Sequence, residues 1–191
     1  MSGAAMQYRH IFVLSPGRSG SQTFAEACQH LTNYSAAHES LSSKLGNERF
    51  AFPENHIEVD NRLCWFFGEM EKRFDDNETL YINLQRDHSK TVDSFLHRLR
   101  NSKYRSSIMS AFAHGIIMKS GDWKAEEELD LASFYVDTVQ SNIEHFLRGR
   151  RHLVVSRDDG GESFAEFLKE ISAEGDLEQA INTWNQVFNA R

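Results

Sequence analysis

Three observations predict a layered α/β fold with a mainly parallel central sheet. Short apolar runs alternate with longer helical patterns along the chain. Two of those runs end in polar loops that lead straight into helices, and no Pro/Gly/Ser-rich linker interrupts the order. At 191 residues the expectation is one domain, 1–191, long enough to bury a core. The architecture expected is a three-layer α/β/α sandwich with a helical cap over roughly residues 98–150, where the pattern is too helix-rich for a minimal sheet.

Taken in order, His10 to Leu14 is a short apolar run that reads as a buried strand. After a Pro16–Ser21 loop, Gln22 to Leu31 reads as a helix with Phe24, Ala27, Cys28 and Leu31 on one face. Tyr34 to Ala37 is a candidate second strand. His38 to Pro53 is polar and contains a glycine, so it reads as loop with room for a helical turn. Arg62 to Phe74 looks helical, and Leu80 to Leu84 is a strand. Asp87 is placed to cap a helix running to about Arg100. Helices are expected over Ser107–Met118 and Glu126–Leu147, a last strand over His152–Ser156, and closing helices over Ser163–Ile171 and Leu177–Asn189.

Composition narrows the function. The chain is 40% hydrophobic with 14 Phe and 3 Trp, which argues against a disordered protein. A formal net charge of −7 argues against a nucleic-acid partner or an anionic membrane surface, although it leaves room for a local basic pocket. No run approaches the ~18 apolar residues of a membrane span. Met1 to Gln7 lacks the basic and apolar regions of a secretion signal. Cys28 and Cys64 have no metal-ligand spacing and read as buried free thiols, so a cytoplasmic location is expected.

The most informative feature is a pair of segments about 70 residues apart. In Ile11 to Phe24, a strand delivers Pro16-Gly-Arg-Ser-Gly-Ser-Gln-Thr23 into a helix. Gly17 and Gly20 allow a tight turn, and successive backbone N–H groups can form an anion nest at the helix start. Arg18 adds fixed charge, while Ser19, Ser21, Gln22 and Thr23 add side-chain donors. The Walker pattern GxxxxGK[ST] is absent, because no lysine precedes the hydroxyl residue. In the second segment Arg86 follows a strand, and Ser94 lies eight residues further on. Asp87, Thr91 and Ser94 fall on one helix face leading back to the strand end, so Arg86 and Ser94 can hold one phosphate between them.

The pair resembles the two nucleotide-binding elements of the PAPS-dependent sulfotransferase family, PAPS being 3′-phosphoadenosine 5′-phosphosulfate. The likeness covers residues 10–30 and 80–98, extends plausibly to the closing strand and helices from His152, and is weak elsewhere. It implies a P-loop-type fold in which Pro16–Thr23 binds the 5′-phosphosulfate and Arg86 and Ser94 the 3′-phosphate. Many family members carry lysine at the position of Arg18. The resemblance also implies PAPS as co-substrate, PAP as product, no metal, and a base on the acceptor hydroxyl. His38-Glu39 occupies the corresponding place. Glu39 is preferred by resemblance to the glutamate of bacterial and carbohydrate-type members. A histidine titrates near neutrality unaided, whereas a glutamate needs burial to do so.

Three further segments carry less. Asp60-Asn61-Arg62 reads first as a helix cap. Gly121-Asp-Trp-Lys124 is similar to a nucleotide-binding segment of cytosolic family members, but there it follows the last strand, so coincidence is the reading. His97 to Arg105 is the densest basic stretch and reads as a solvated helix end. The expected function is sulfuryl transfer to an acceptor hydroxyl on a small molecule, a carbohydrate or a glycolipid; the Glu-bearing loop favours a carbohydrate or glycolipid over a phenol. The alternatives are a P-loop small-molecule kinase and a non-catalytic nucleotide-binding protein on the same fold.

Overall fold

The computed structural model describes residues 8–100, 107–119 and 124–186. Five parallel strands form one sheet: β1 (His10–Leu14), β2 (Ser35–His38), β3 (His56–Val59), β4 (Thr79–Gln85) and β5 (His152–Ser156), in the spatial order β2-β3-β1-β4-β5. Buried between two neighbours, β1 reads as an unbroken apolar run. Its side chains alternate, with Ile11 and Val13 entering one core and Phe12 and Leu14 the other.

The first core is closed by α1 (Ser21–Cys28), α6 (Glu162–Glu170) and α7 (Leu177–Asn185). Phe24, Phe164, Phe167 and Trp184 interlock there, with Phe164 stacked on Trp184 at 4.8 Å between ring centres. The second core is closed by α2 (Phe67–Phe74), α3 (His88–Arg100) and α5 (Ala125–Leu147). The chain is therefore a three-layer α/β/α sandwich. The longest element in the 98–150 region expected as a cap is α5, and its buried face belongs to the second layer: Phe146 meets Tyr81 at 5.1 Å and Tyr135 meets Phe95 at 5.1 Å.

Several boundaries move for local reasons. Helix α1 stops at Cys28 rather than Leu31, because Leu31 bridges to Gly175 and the Thr32 N–H bonds to the Glu174 carbonyl. The Arg62–Phe74 segment begins as a 3-10 turn, Asn61–Trp65, and becomes α2 only after Phe66 leaves helical geometry. The short α4 (Ser107–Ser110) opens at once into a π-turn, Ala111–Ile116, containing Gly115. Strand β3 was not legible in the sequence. Its residues are His-Ile-Glu-Val, and both polar side chains are buried.

The topology locates a crevice. The connection leaving β1 runs through α1 to β2 on one side, while that leaving β4 runs through α3 and α5 to β5 on the other. Strands β1 and β4 are neighbours in register, so their carboxyl ends open the gap in which such sheets bind ligands. The two segments singled out above lie at those ends.

Candidate functional site

The loop after β1 is held in an uncommon backbone shape. Gly17, Arg18 and Gly20 have φ of 93°, 60° and 94°. A left-handed arginine costs energy and persists only where its surroundings over-determine it. Here they do. The Gly17 N–H donates to Ser15 Oγ (3.1 Å), Ser19 Oγ donates to the Gly17 carbonyl (3.3 Å), and the Tyr135 hydroxyl donates to the Pro16 carbonyl (2.8 Å). Burial pushes the Tyr135 phenol far above its ordinary value, which keeps it a donor. A side chain at Gly17 would be strained by its φ of 93° and would have to displace the Asn61 amide, whose Nδ2 would lie 2.8 Å from the added Cβ.

The second segment reaches this loop. Arg18 Nε donates to Ser94 Oγ at 2.9 Å, and Arg86 Nη1 donates to the Arg18 carbonyl at 3.0 Å. Asp87 caps α3 through its Oδ1, which accepts the Lys90 N–H at 3.0 Å. Thr91, on the same face, is buried and bonds back to the Asp87 carbonyl. Burial, then the neighbouring Arg98 and Arg86 guanidiniums, push Arg18 below the usual arginine value. Like charges thus converge on a loop whose geometry suits an anion, in a protein that is acidic as a whole.

A fourth arginine completes the group. Arg157 follows β5 and lays its stem on Gly20, where an added Cβ would be 2.9 Å from Arg157 Cδ. Its guanidinium lies 4.6 Å from the Trp184 ring centre and donates to the Gln186 carbonyl at 2.6 Å. Burial and the charge of Arg86 lower its basicity. Sequence reasoning missed this residue. The available signal was a repeat of Arg86-Asp87 after β4 by Arg157-Asp158 after β5.

The remaining predicted residues divide. Ser21 opens α1, and its hydroxyl meets His38 Nε2 at 3.1 Å, so the end of β2 does come to the loop. Gln22 is exposed, whereas Ser19 and Thr23 are buried at 1% and 3% exposure and serve the loop's interior. Glu39, with φ of 52°, forms an ion pair with Arg62 and is only partly buried. Glu39 is thus neither isolated nor fully buried. His38 is exposed and sits against Ser21 at the end of the loop.

A polar scaffold fixes that corner. Fully buried Glu58 accepts from the Ser40 N–H (2.8 Å), Ser40 Oγ (2.5 Å) and His56 Nε2 (3.1 Å), and Ser35 Oγ lies 2.8 Å from His56 Nδ1. Asp60 accepts the Arg62 N–H at 2.8 Å, as expected of a cap, and pairs with buried Arg49. Asn61 packs on Gly17.

Cys28 and Cys64 are buried free thiols, and burial drives both far above their ordinary pKa. Among the described residues no group of three His, Cys, Asp or Glu is placed to hold a metal ion, and no helix is long and apolar enough to cross a membrane. Residues 121–123 of the Gly-Asp-Trp-Lys segment and 101–105 of the basic stretch lie outside the described residues. No protein-family model matches the chain, and no curated protein matches it in sequence.

Proposed function

We propose that this protein binds 3′-phosphoadenosine 5′-phosphosulfate at the carboxyl ends of β1 and β4 and transfers its sulfuryl group to an acceptor hydroxyl. One observation carries the reading. Two segments remote in sequence meet through Arg18–Ser94 and Arg86–Arg18 contacts, gathering several guanidiniums around a left-handed glycine loop. A ligand with phosphates at two places would match that charge where a lone monophosphate would leave part of it unmet.

In this reading the 5′-phosphosulfate lies on the Pro16–Thr23 loop, and the 3′-phosphate lies between Arg86 and Ser94. The acceptor oxygen attacks sulfur in line with the bridging oxygen. The new S–O bond forms as the bridging O–S bond breaks, and PAP leaves with the electron pair. Arg18 and the loop N–H groups stabilise charge on the departing oxygen. The acceptor's proton passes to a base at the end of β2. His38 fits that role better than Glu39, because Glu39 is already ion-paired to Arg62. A carbohydrate hydroxyl remains the acceptor class suggested by the family likeness. The two buried thiols suit a reducing, cytoplasmic setting.

A Mg²⁺-dependent kinase is favoured less. The loop lacks the phosphate-binding lysine, and Asp60, the carboxylate just past β3 beside the loop, is engaged by Arg49 and the Arg62 N–H. The test is a metal-free calorimetric titration with PAP, 5′-AMP and ATP. Preference for PAP, lost in Arg86→Ala and Ser94→Ala, is the expected result. Tighter Mg²⁺-dependent binding of ATP would overturn the proposal in favour of a kinase. PAP binding without sulfuryl transfer to any acceptor, and without effect of His38→Ala, would leave a nucleotide-binding protein.

A further inference from the structure

Arg86 sits at a corner that is tied down from outside its own segment. The Arg157 N–H donates to the Gln85 carbonyl at 2.8 Å, and Asp158 Oδ2 accepts the Asp87 N–H at 2.6 Å. Two consecutive residues from the end of β5 therefore bracket Arg86, one holding the residue before it and the other the residue after it. Asp158 is itself fixed. Its N–H donates to Ser156 Oγ at 3.2 Å, and its Oδ1 accepts Lys90 Nζ at 2.6 Å.

Asp158 is not the cap that starts α3, because Asp87 fills that role with its own carboxylate. What Asp158 holds is the amide of the capping residue, one peptide beyond Arg86. An arginine reaches its ligand through a long side chain, so a small rotation at this corner swings the guanidinium through a large arc. The carboxylate also lies close enough to Arg86 to feel its charge, which offsets the repulsion between Arg86 and Arg157. The sequence gives the same Arg-Asp pair two different tasks: Arg86-Asp87 aims and caps, and Arg157-Asp158 clasps.

We infer that Asp158 is a positioning residue that aims Arg86 and thereby sets the preference for a nucleotide bearing a 3′-phosphate over one without it. The inference rests on the two-phosphate reading above. It assigns Asp158 no contact with the ligand.

The experiment is metal-free calorimetry on the full chain with PAP and 5′-AMP as probes. Asp158→Ala is expected to weaken PAP roughly ten-fold, by analogy with the residues that orient metal ligands, whose loss costs about ten-fold or more. Binding of 5′-AMP should change by less than about two-fold. Asp158→Asn keeps an oxygen for the Asp87 N–H and should fall between, and it carries the comparison should the alanine variant fail to fold. In an Arg86→Ala background, Asp158→Ala should cost PAP nothing further. An equal loss for both nucleotides, an additive loss in the double variant, or unchanged PAP affinity beside a preserved wild-type preference would each overturn the inference alone. A wild-type chain that binds PAP no better than 5′-AMP would overturn the two-phosphate reading and this inference with it.

Discussion

The two ends of the crevice treat arginine in opposite ways. On the β2–β3 side each guanidinium is matched by a carboxylate: Arg49 by Asp60 and Arg62 by Glu39. On the β1–β4–β5 side three arginines give hydrogen bonds to neutral oxygens: Arg18 to the Ser94 hydroxyl, Arg86 to the Arg18 carbonyl and Arg157 to the Gln186 carbonyl. The first arrangement is electrically closed and holds a corner in shape. The second is open: among the described residues none of these three guanidiniums forms a direct ion pair, and the nearby Asp158 offsets only part of their charge. Residue type alone does not separate an ion-paired arginine from one bonded to neutral oxygens; the partner does.

That contrast can be broken at either end. The largest effect expected is on the closed side. Arg49→Ala strands the Asp60 carboxylate, which is 0% exposed, and should cost about 3–5 kcal/mol of stability by chemical denaturation. Replacing both partners by apolar residues should recover most of it, as is usual for buried pairs. On the open side, Arg18→Ala should leave the denaturation midpoint nearly unchanged while lowering the sulfuryl-transfer rate ~100-fold. Arg18→Lys keeps the charge without the fork that reaches Ser94, so its rate should fall between.

A smaller effect is expected from Arg86→Ala, which should weaken PAP about ten-fold or more with little change for 5′-AMP. Should Arg86→Ala unfold the protein while Arg49→Ala weakens only the nucleotide, the assignment of open and closed ends is reversed. The smallest effect concerns acid. The hydrogen bond from Lys90, with that from the Asp87 N–H, holds Asp158 below the ordinary carboxylate value despite partial burial. A depressed folded-state pKa means stability that is present above the unfolded value, about 3.9, and lost as pH falls through the lower folded one. Acid unfolding curves of wild type and Asp158→Asn should therefore differ at neutral pH and converge in strong acid.

Much of the fold was legible because the signals were local. His152–Ser156 falls where its apolar run lies, and β1 and β4 follow theirs within two residues. Strand β3 was hidden because burial alone makes it a strand: His56 and Glu58 satisfy each other inside the protein, and a hydrophobicity pattern counts them as polar. The site was legible in the same uneven way. Gly17, Arg18, Gly20, Arg86 and Ser94 stood out because they follow strands at informative spacings. Arg157 did not, since its place over Gly20 depends on β5 lying beside β4. The family resemblance favoured Glu39 over its neighbour His38; the contacts that distinguish their surroundings, Glu39 with Arg62 and His38 with Ser21, come from the tertiary structure.

The sequence by itself determined most of the alternation of strands and helices, the glycine loop after the first strand, and the arginine after the Leu80–Leu84 run. These depend on side-chain period, glycine's freedom at positive φ, and strand-end chemistry, all of which act over a few residues. The tertiary structure alone decided which arginines are neutralised and which converge. Charge pairing is set by distance through space, and the strand order brings together residues separated by dozens of positions along the chain.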